Sequence, residues 1–132
     1  MKTVLITLLI SLIGALSCED IDIALYESFY GKWKLYDVSG GFTGRGHDIN
    51  FDYLELEKEN NYRFIKNDRI LEFVKVIIAN DNEKEPLINF IPDKNSEVFM
   101  GDSEKYAVLE GSDTLNLNSP CCDRFNYHFV KE

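Results

Sequence analysis

From residue 31 to the C-terminus, apolar and polar positions alternate in short runs separated by turn-forming clusters. In "NFDYLELE", Leu54 and Leu56 fall on one face and Glu55 and Glu57 on the other. "ENN" turns the chain into "YRFIK", where Tyr62 and Phe64 share a face opposite Arg63 and Ile65, and "NDR" turns it again into "ILEFVKVIIA". That run is the longest strand candidate, and its alternation blurs because both Ile77 and Ile78 read as buried. "KWKLYDV" precedes these runs; "LINFI", "EVFM", "KYAVLE", "TLNLN" and "FNYHFV" follow. Leu115 and Leu117, then Phe125, Tyr127 and Phe129, repeat with period two, leaving Asn116, Asn118, Asn126 and His128 on the opposite faces. No segment after Tyr30 carries a helical period of useful length. Eight or nine strands at this spacing predict an all-β antiparallel up-and-down meander, closed into a small barrel of about eight strands. Closure removes the exposed edges an open meander would present.

The N-terminal residues follow another pattern. "MKTVLITLLISLIGALS" has one lysine, an uncharged run from Thr3 to Leu16 and a small residue at its end, the layout of an export signal. The run is shorter than the ~20 residues of a bilayer span. Ala15 and Ser17 suit cleavage before Cys18 by an ordinary signal peptidase. "ALSC" also resembles a bacterial lipobox, which implies lipidation of Cys18 and anchorage in the envelope, most naturally at the outer membrane. The alternative is a secreted or periplasmic protein that begins with a free cysteine. The expected organisation is a signal peptide over 1–17, a lipidated cysteine and tether over 18–30, and one barrel domain over 31–132.

Charge narrows the range of partners. The 132-residue chain carries a net charge of -9; removing residues 1–17 takes away Lys2 and leaves -10. An acidic surface excludes nucleic acid as an expected partner and gives no electrostatic hold on anionic membranes. Any membrane association is therefore expected through the lipid.

"GKWKL" at residues 31–35 resembles the first-strand Gly-x-Trp motif of lipocalins. With the "GGFTG" loop, the "YLELEKENNYRF" hairpin and the terminal "CCDRFNYHFV" strand in this order, the stretch Gly31–Lys131 resembles the small lipocalin-like domains of Bacteroidetes lipoproteins. The resemblance implies a binding cup closed at one end by Trp33, with a cation from near the last strand packed over the indole. Arg124 is the first candidate for that cation and Lys131 the second. Residues 39–48, "SGGFTGRGHD", read as a long loop over the barrel mouth, where Phe42 and Arg45 would line a ligand entrance.

Chemistry is sparse. Cys121 and Cys122 are adjacent, and their α-carbons lie 3.80 Å apart across a trans peptide, closer than an ordinary disulfide prefers. A strained vicinal disulfide, two buried thiols or a bridge to another chain remain open, with a local structural role preferred. Neighbouring strand residues point to opposite faces, so the pair does not converge on a metal; His47 and His128 are the only histidines. No metal, cofactor or catalytic residue is expected, and there is no Gly-x-Ser-x-Gly, His-Glu-x-x-His or Cys-x-x-Cys motif. The expected function is a cell-envelope lipoprotein binding a small apolar or amphipathic ligand. The alternative is a filled barrel acting on another protein through its outer surface. The interior discriminates between them, because about 115 mature residues rich in Phe, Tyr and Leu leave little room for a cavity.

Overall fold

The computed structural model describes residues 24–41, 49–80, 82, 84–96, 98, 102–121 and 124–132. Eight antiparallel strands form a closed barrel in chain order: β1 Gly31–Gly40, β2 Tyr53–Leu56, β3 Asn61–Lys66, β4 Arg69–Ile78, β5 Leu87–Phe90, β6 Glu104–Glu110, β7 Thr114–Asn118 and β8 Phe125–Lys131. β8 returns to β1, with Trp33 opposite Lys131 and Gly40 opposite Phe125, and that pairing seals the wall. Of the nine expected strand segments, "EVFM" falls largely outside the described residues.

The turns follow from local chemistry. Asn67 and Asp68 join β3 to β4 with φ of 49° and 60°, the left-handed pair of a two-residue hairpin that Asn and Asp adopt at low cost. Glu59 and Asn60 bend the chain between β2 and β3, also at positive φ. Gly40 has φ +93°, and a Cβ there would lie 2.3 Å from the Arg124 carbonyl oxygen. Only glycine lets β1 end that close to β8.

Period-two alternation sets the core. Trp33, Leu54, Leu56, Tyr62, Phe64, Val76, Ile78, Ile88, Phe90, Ala107, Leu115, Leu117, Tyr127 and Phe129 are all buried. A bulge in the β3–β4 pairing, between Phe64 and Ile65, breaks the strict alternation and buries Ile65 beside Phe64. The expected burial of both Ile77 and Ile78 is corrected: Ile78 is buried and Ile77 is 55% exposed. Strand geometry requires this, since successive side chains point to opposite faces and Val76 already points inward.

The tether is shorter than expected. A one-turn 3-10 helix at Glu27–Phe29 brings Phe29 into the core, and Leu25 is buried as well. The Leu25 N–H donates to the Asn60 side-chain oxygen at 2.7 Å, which ties this segment to the β2–β3 turn. Apolar burial of about 1.5–3 kcal/mol per large side chain outweighs the freedom of these residues. The packed unit therefore begins near Leu25 rather than at Gly31.

Candidate functional site

One end of the barrel is closed around Trp33. Its side chain is fully buried, and its indole N–H donates to the Phe29 carbonyl at 2.9 Å. The Lys131 ammonium lies 5.2 Å from the centre of the Trp33 ring. Gly31 makes this approach available: its φ is +137°, and a Cβ would come within 3.0 Å of the Lys131 Cε. Lys131, not Arg124, is therefore the cation over the indole. Arg124 precedes β8 at the opposite end of the barrel, where its carbonyl accepts from the Gly41 N–H at 3.3 Å. A strand's length separates the two ends, beyond the reach of an arginine side chain.

The interior is occupied by rings in mutual contact. Phe51 lies 4.6 Å from Phe64, 6.0 Å from Tyr127 and 6.4 Å from Phe129, centre to centre. Tyr62 meets Phe90 edge-on at 5.1 Å and Phe64 at 5.5 Å. These separations are those of packed aromatic pairs, so the inward Phe and Tyr side chains serve as core.

Two charged side chains are built into that core near the other end. Glu72 is 5% exposed and accepts from the Tyr62 hydroxyl at 3.0 Å, from the Asp93 N–H at 3.0 Å and from the Ser96 hydroxyl. It thereby pins the β5–β6 connection to β4. Lys105 is fully buried, donates to Asp102 and to the Phe125 carbonyl, and lies 5.3 Å from the centre of the Tyr127 ring. Burial holds its ammonium below the ordinary lysine pKa, while the hydrogen bond and the charge of Asp102 oppose that shift. Burial likewise pushes the Tyr62 and Tyr127 phenols well above the ordinary tyrosine value, Tyr62 further through Glu72 and Tyr127 through Asp102.

Open space lies at the rim. Two open grooves flank the segment 49–53. One, of about 370 Å3, is lined by Lys34, Leu35, Tyr36, Ile49, Phe51, Asp52 and Tyr53. The other, of about 450 Å3, is lined by Ile49, Asn50, Lys66, Asn67, Arg69 and Leu71. Of the residues expected to form a ligand entrance, Phe42 and Arg45 lie outside the described residues, as do Cys18, His47 and Cys122. Cys121 is exposed in the β7–β8 connection.

The outer wall carries a polar chain across β1, β8, β7 and β6. The Ser39 Oγ lies 2.8 Å from His128 Nε2, and His128 Nδ1 lies 2.7 Å from Asn116 Oδ1. The Asn116 amide nitrogen donates to Glu110 at 2.9 Å. His128 is half-buried, not on an open solvent face, and Tyr36 packs beside it with ring centres 6.2 Å apart. Linear motifs could not signal this cluster, because its members are scattered over four strands. Glu72 and Lys105 did leave a trace: each shares its strand face with buried apolar residues, Val76 and Ile78 for Glu72 and Ala107 for Lys105.

No family model, curated protein or solved structure matches this chain. Among the described residues no helix is long and apolar enough to cross a membrane, and no three metal-ligating side chains gather.

Proposed function

We infer that this protein is an exported bacterial envelope lipoprotein, anchored through Cys18, whose filled barrel acts through its outer surface by binding another protein. The observation that carries the reading is the ring-to-ring packing of Phe51, Phe64, Tyr127 and Phe129, which takes up the space a ligand would need. The outer wall supplies a contact face. Phe73 and Ile77 on β4 are 54% and 55% exposed, and the Arg63 guanidinium lies 5.1 Å over the Phe73 ring. Lys75 is exposed between them, and Arg63 is ion-paired with Glu57 at 2.6 Å, so the face is apolar surface with an exposed lysine at its centre. A partner presenting an acidic group within an apolar contact complements it. The leader and "ALSC" support export and lipidation, and the resemblance of Gly31–Lys131 to lipocalin-like lipoproteins supports the envelope setting.

A photoreactive side chain at position 73 in the native host, read by mass spectrometry, tests the contact face. The expected result is one protein adduct, whose purified partner loses at least about tenfold in affinity for Phe73→Glu, the effect of ~1.4 kcal/mol. Unchanged affinity would overturn the reading. Intact mass of the membrane-purified protein tests the anchor, with an unmodified Cys18 as the contrary result.

The rim favours a second reading, in which the groove beside Ile49 and Leu71 takes an amphipathic molecule with an anionic head near Lys66 and Arg69. Its volume lies in the range of small-molecule sites. A small molecule that co-purifies in stoichiometric amount and is lost with Leu71→Asp would favour it over the protein partner.

A further inference from the structure

We propose that Ser39 is a nucleophile activated by His128, able to take the acyl group of small activated carboxylic esters on the outer wall of the barrel. The hydrogen-bond chain fixes the proton positions. The Asn116 amide nitrogen donates to the Glu110 carboxylate, so the amide oxygen faces His128, and the group it accepts from must be Nδ1–H. The other nitrogen, Nε2, then holds a lone pair 2.8 Å from the Ser39 hydroxyl. A hydroxyl beside a basic imidazole nitrogen, with the imidazole oriented by a third group, is the arrangement that turns serine into a nucleophile.

Two strand registers produce it. Asp37 lies opposite His128 and Ser39 opposite Asn126, so Ser39 and His128 meet on the diagonal between β1 and β8. Asn116 lies opposite His128 across the β7–β8 pair. Asn116 is 7% exposed, which holds the amide in place, whereas Ser39 is exposed and open to a reagent. Tyr36, 58% exposed and packed beside the imidazole, offers an apolar surface to the acyl or aryl group.

The reaction balances without a further reagent. The Ser39 oxygen bonds to the ester carbonyl carbon as its proton passes to Nε2. The bond from that carbon to the leaving oxygen then breaks, and that oxygen takes the proton from Nε2–H and departs as the alcohol. Water then gives a proton to the same nitrogen as its oxygen bonds to the acyl carbon, the bond from that carbon to the Ser39 oxygen breaks, and Ser39 recovers the proton from Nε2–H as the acid is released. Of the backbone donors described beside Ser39, the Gly41 N–H is already taken by the Arg124 carbonyl, and no oxyanion donor is assigned. The expected acceleration is therefore that of general-base assistance alone, on the order of 10²–10⁴. Asn116 and Glu110 act as positioning residues.

Incubation of the full chain with p-nitrophenyl acetate, followed by peptide mapping, tests the proposal. The expected product is acetyl-Ser39, formed at least roughly 100-fold faster than acetylation of the exposed Ser103, as general-base assistance requires. His128→Gln should abolish that advantage, and Asn116→Leu should reduce it while circular dichroism and Trp33 fluorescence stay unchanged. Ser39 acetylation at the Ser103 rate, or at an undiminished rate in His128→Gln, overturns the assignment.

Discussion

The Lys131 ammonium sits 5.2 Å above the buried Trp33 ring, and its stem reaches there by crossing Gly31, where no Cβ stands in the way. The glycine of "GKWKL" is thus explained by its neighbour on the last strand as much as by its own backbone. Lys131→Met keeps the stem and removes the charge, so it should cost about 0.5–1 kcal/mol in denaturant unfolding and alter Trp33 emission. Arg124→Ala should leave that emission unchanged. A shift on replacing Arg124, with none on replacing Lys131, would reverse the assignment.

Two glycines of positive φ should differ sharply on substitution. At Gly40 a methyl group would press within 2.3 Å of the Arg124 carbonyl oxygen, whereas at Gly111 the nearest atom, on Asp113, is 3.7 Å away. Gly111→Ala should cost about 1 kcal/mol, the penalty for left-handed backbone alone. Gly40→Ala should cost about 3 kcal/mol or more, because β1 and β8 must part to admit it. Equal losses in melting experiments would contradict the close approach of the two strands.

Glu72 holds one buried hydroxyl, one backbone amide and a serine. Glu72→Ala leaves the Tyr62 hydroxyl without that acceptor and releases the Asp93 amide. Expected is a loss of about 3 kcal/mol, given 1.5–3 kcal/mol per hydrogen bond to a charged group. Hydrogen exchange at Asp93 should accelerate in the variant. Unaltered exchange there would mean that Glu72 does not pin the β5–β6 connection.

Stability should fall at alkaline pH. Tyr62 and Tyr127 resist ionisation in the folded barrel, so their folded pKa values lie above the unfolded value of 10.0. Above that value the unfolded chain releases protons that the folded chain retains. Stability present below pH ~10 is then lost as pH rises, at about 1.4 kcal/mol per pH unit per tyrosine. Lys105 works the other way, because its folded pKa is lowered and its charged form is penalised until pH exceeds the unfolded 10.5. Tyr62→Phe with Tyr127→Phe should flatten the decline. An identical alkaline midpoint in the double variant would show that other groups control it.

Much of the barrel was legible because a half-buried strand writes its two faces into the chain as alternation. Leu54 and Leu56, Leu115 and Leu117, and Tyr127 and Phe129 all point inward as their spacing predicts. Alternation failed where the backbone departs from strict pleating. The bulge beside Ile65 buried a residue expected to face out. Ile77 is the converse case: it was expected inside and instead keeps the alternation, facing out between Val76 and Ile78. The end of the tether was misjudged for a different reason. Leu25 and Phe29 are too widely spaced to show a period, yet both find places in the core.

Composition and pattern alone determined that this chain would alternate and turn often, since those properties depend on residues a few positions apart, and the exposed edges of such a meander favour closure. Which cation covers Trp33, whether aromatic rings leave a cavity, and whether Ser39, Asn116 and His128 meet were decided only by strand register. Register joins residues up to 98 positions apart, as in the Trp33–Lys131 pair, and a shift of one step would send every such side chain to the opposite face.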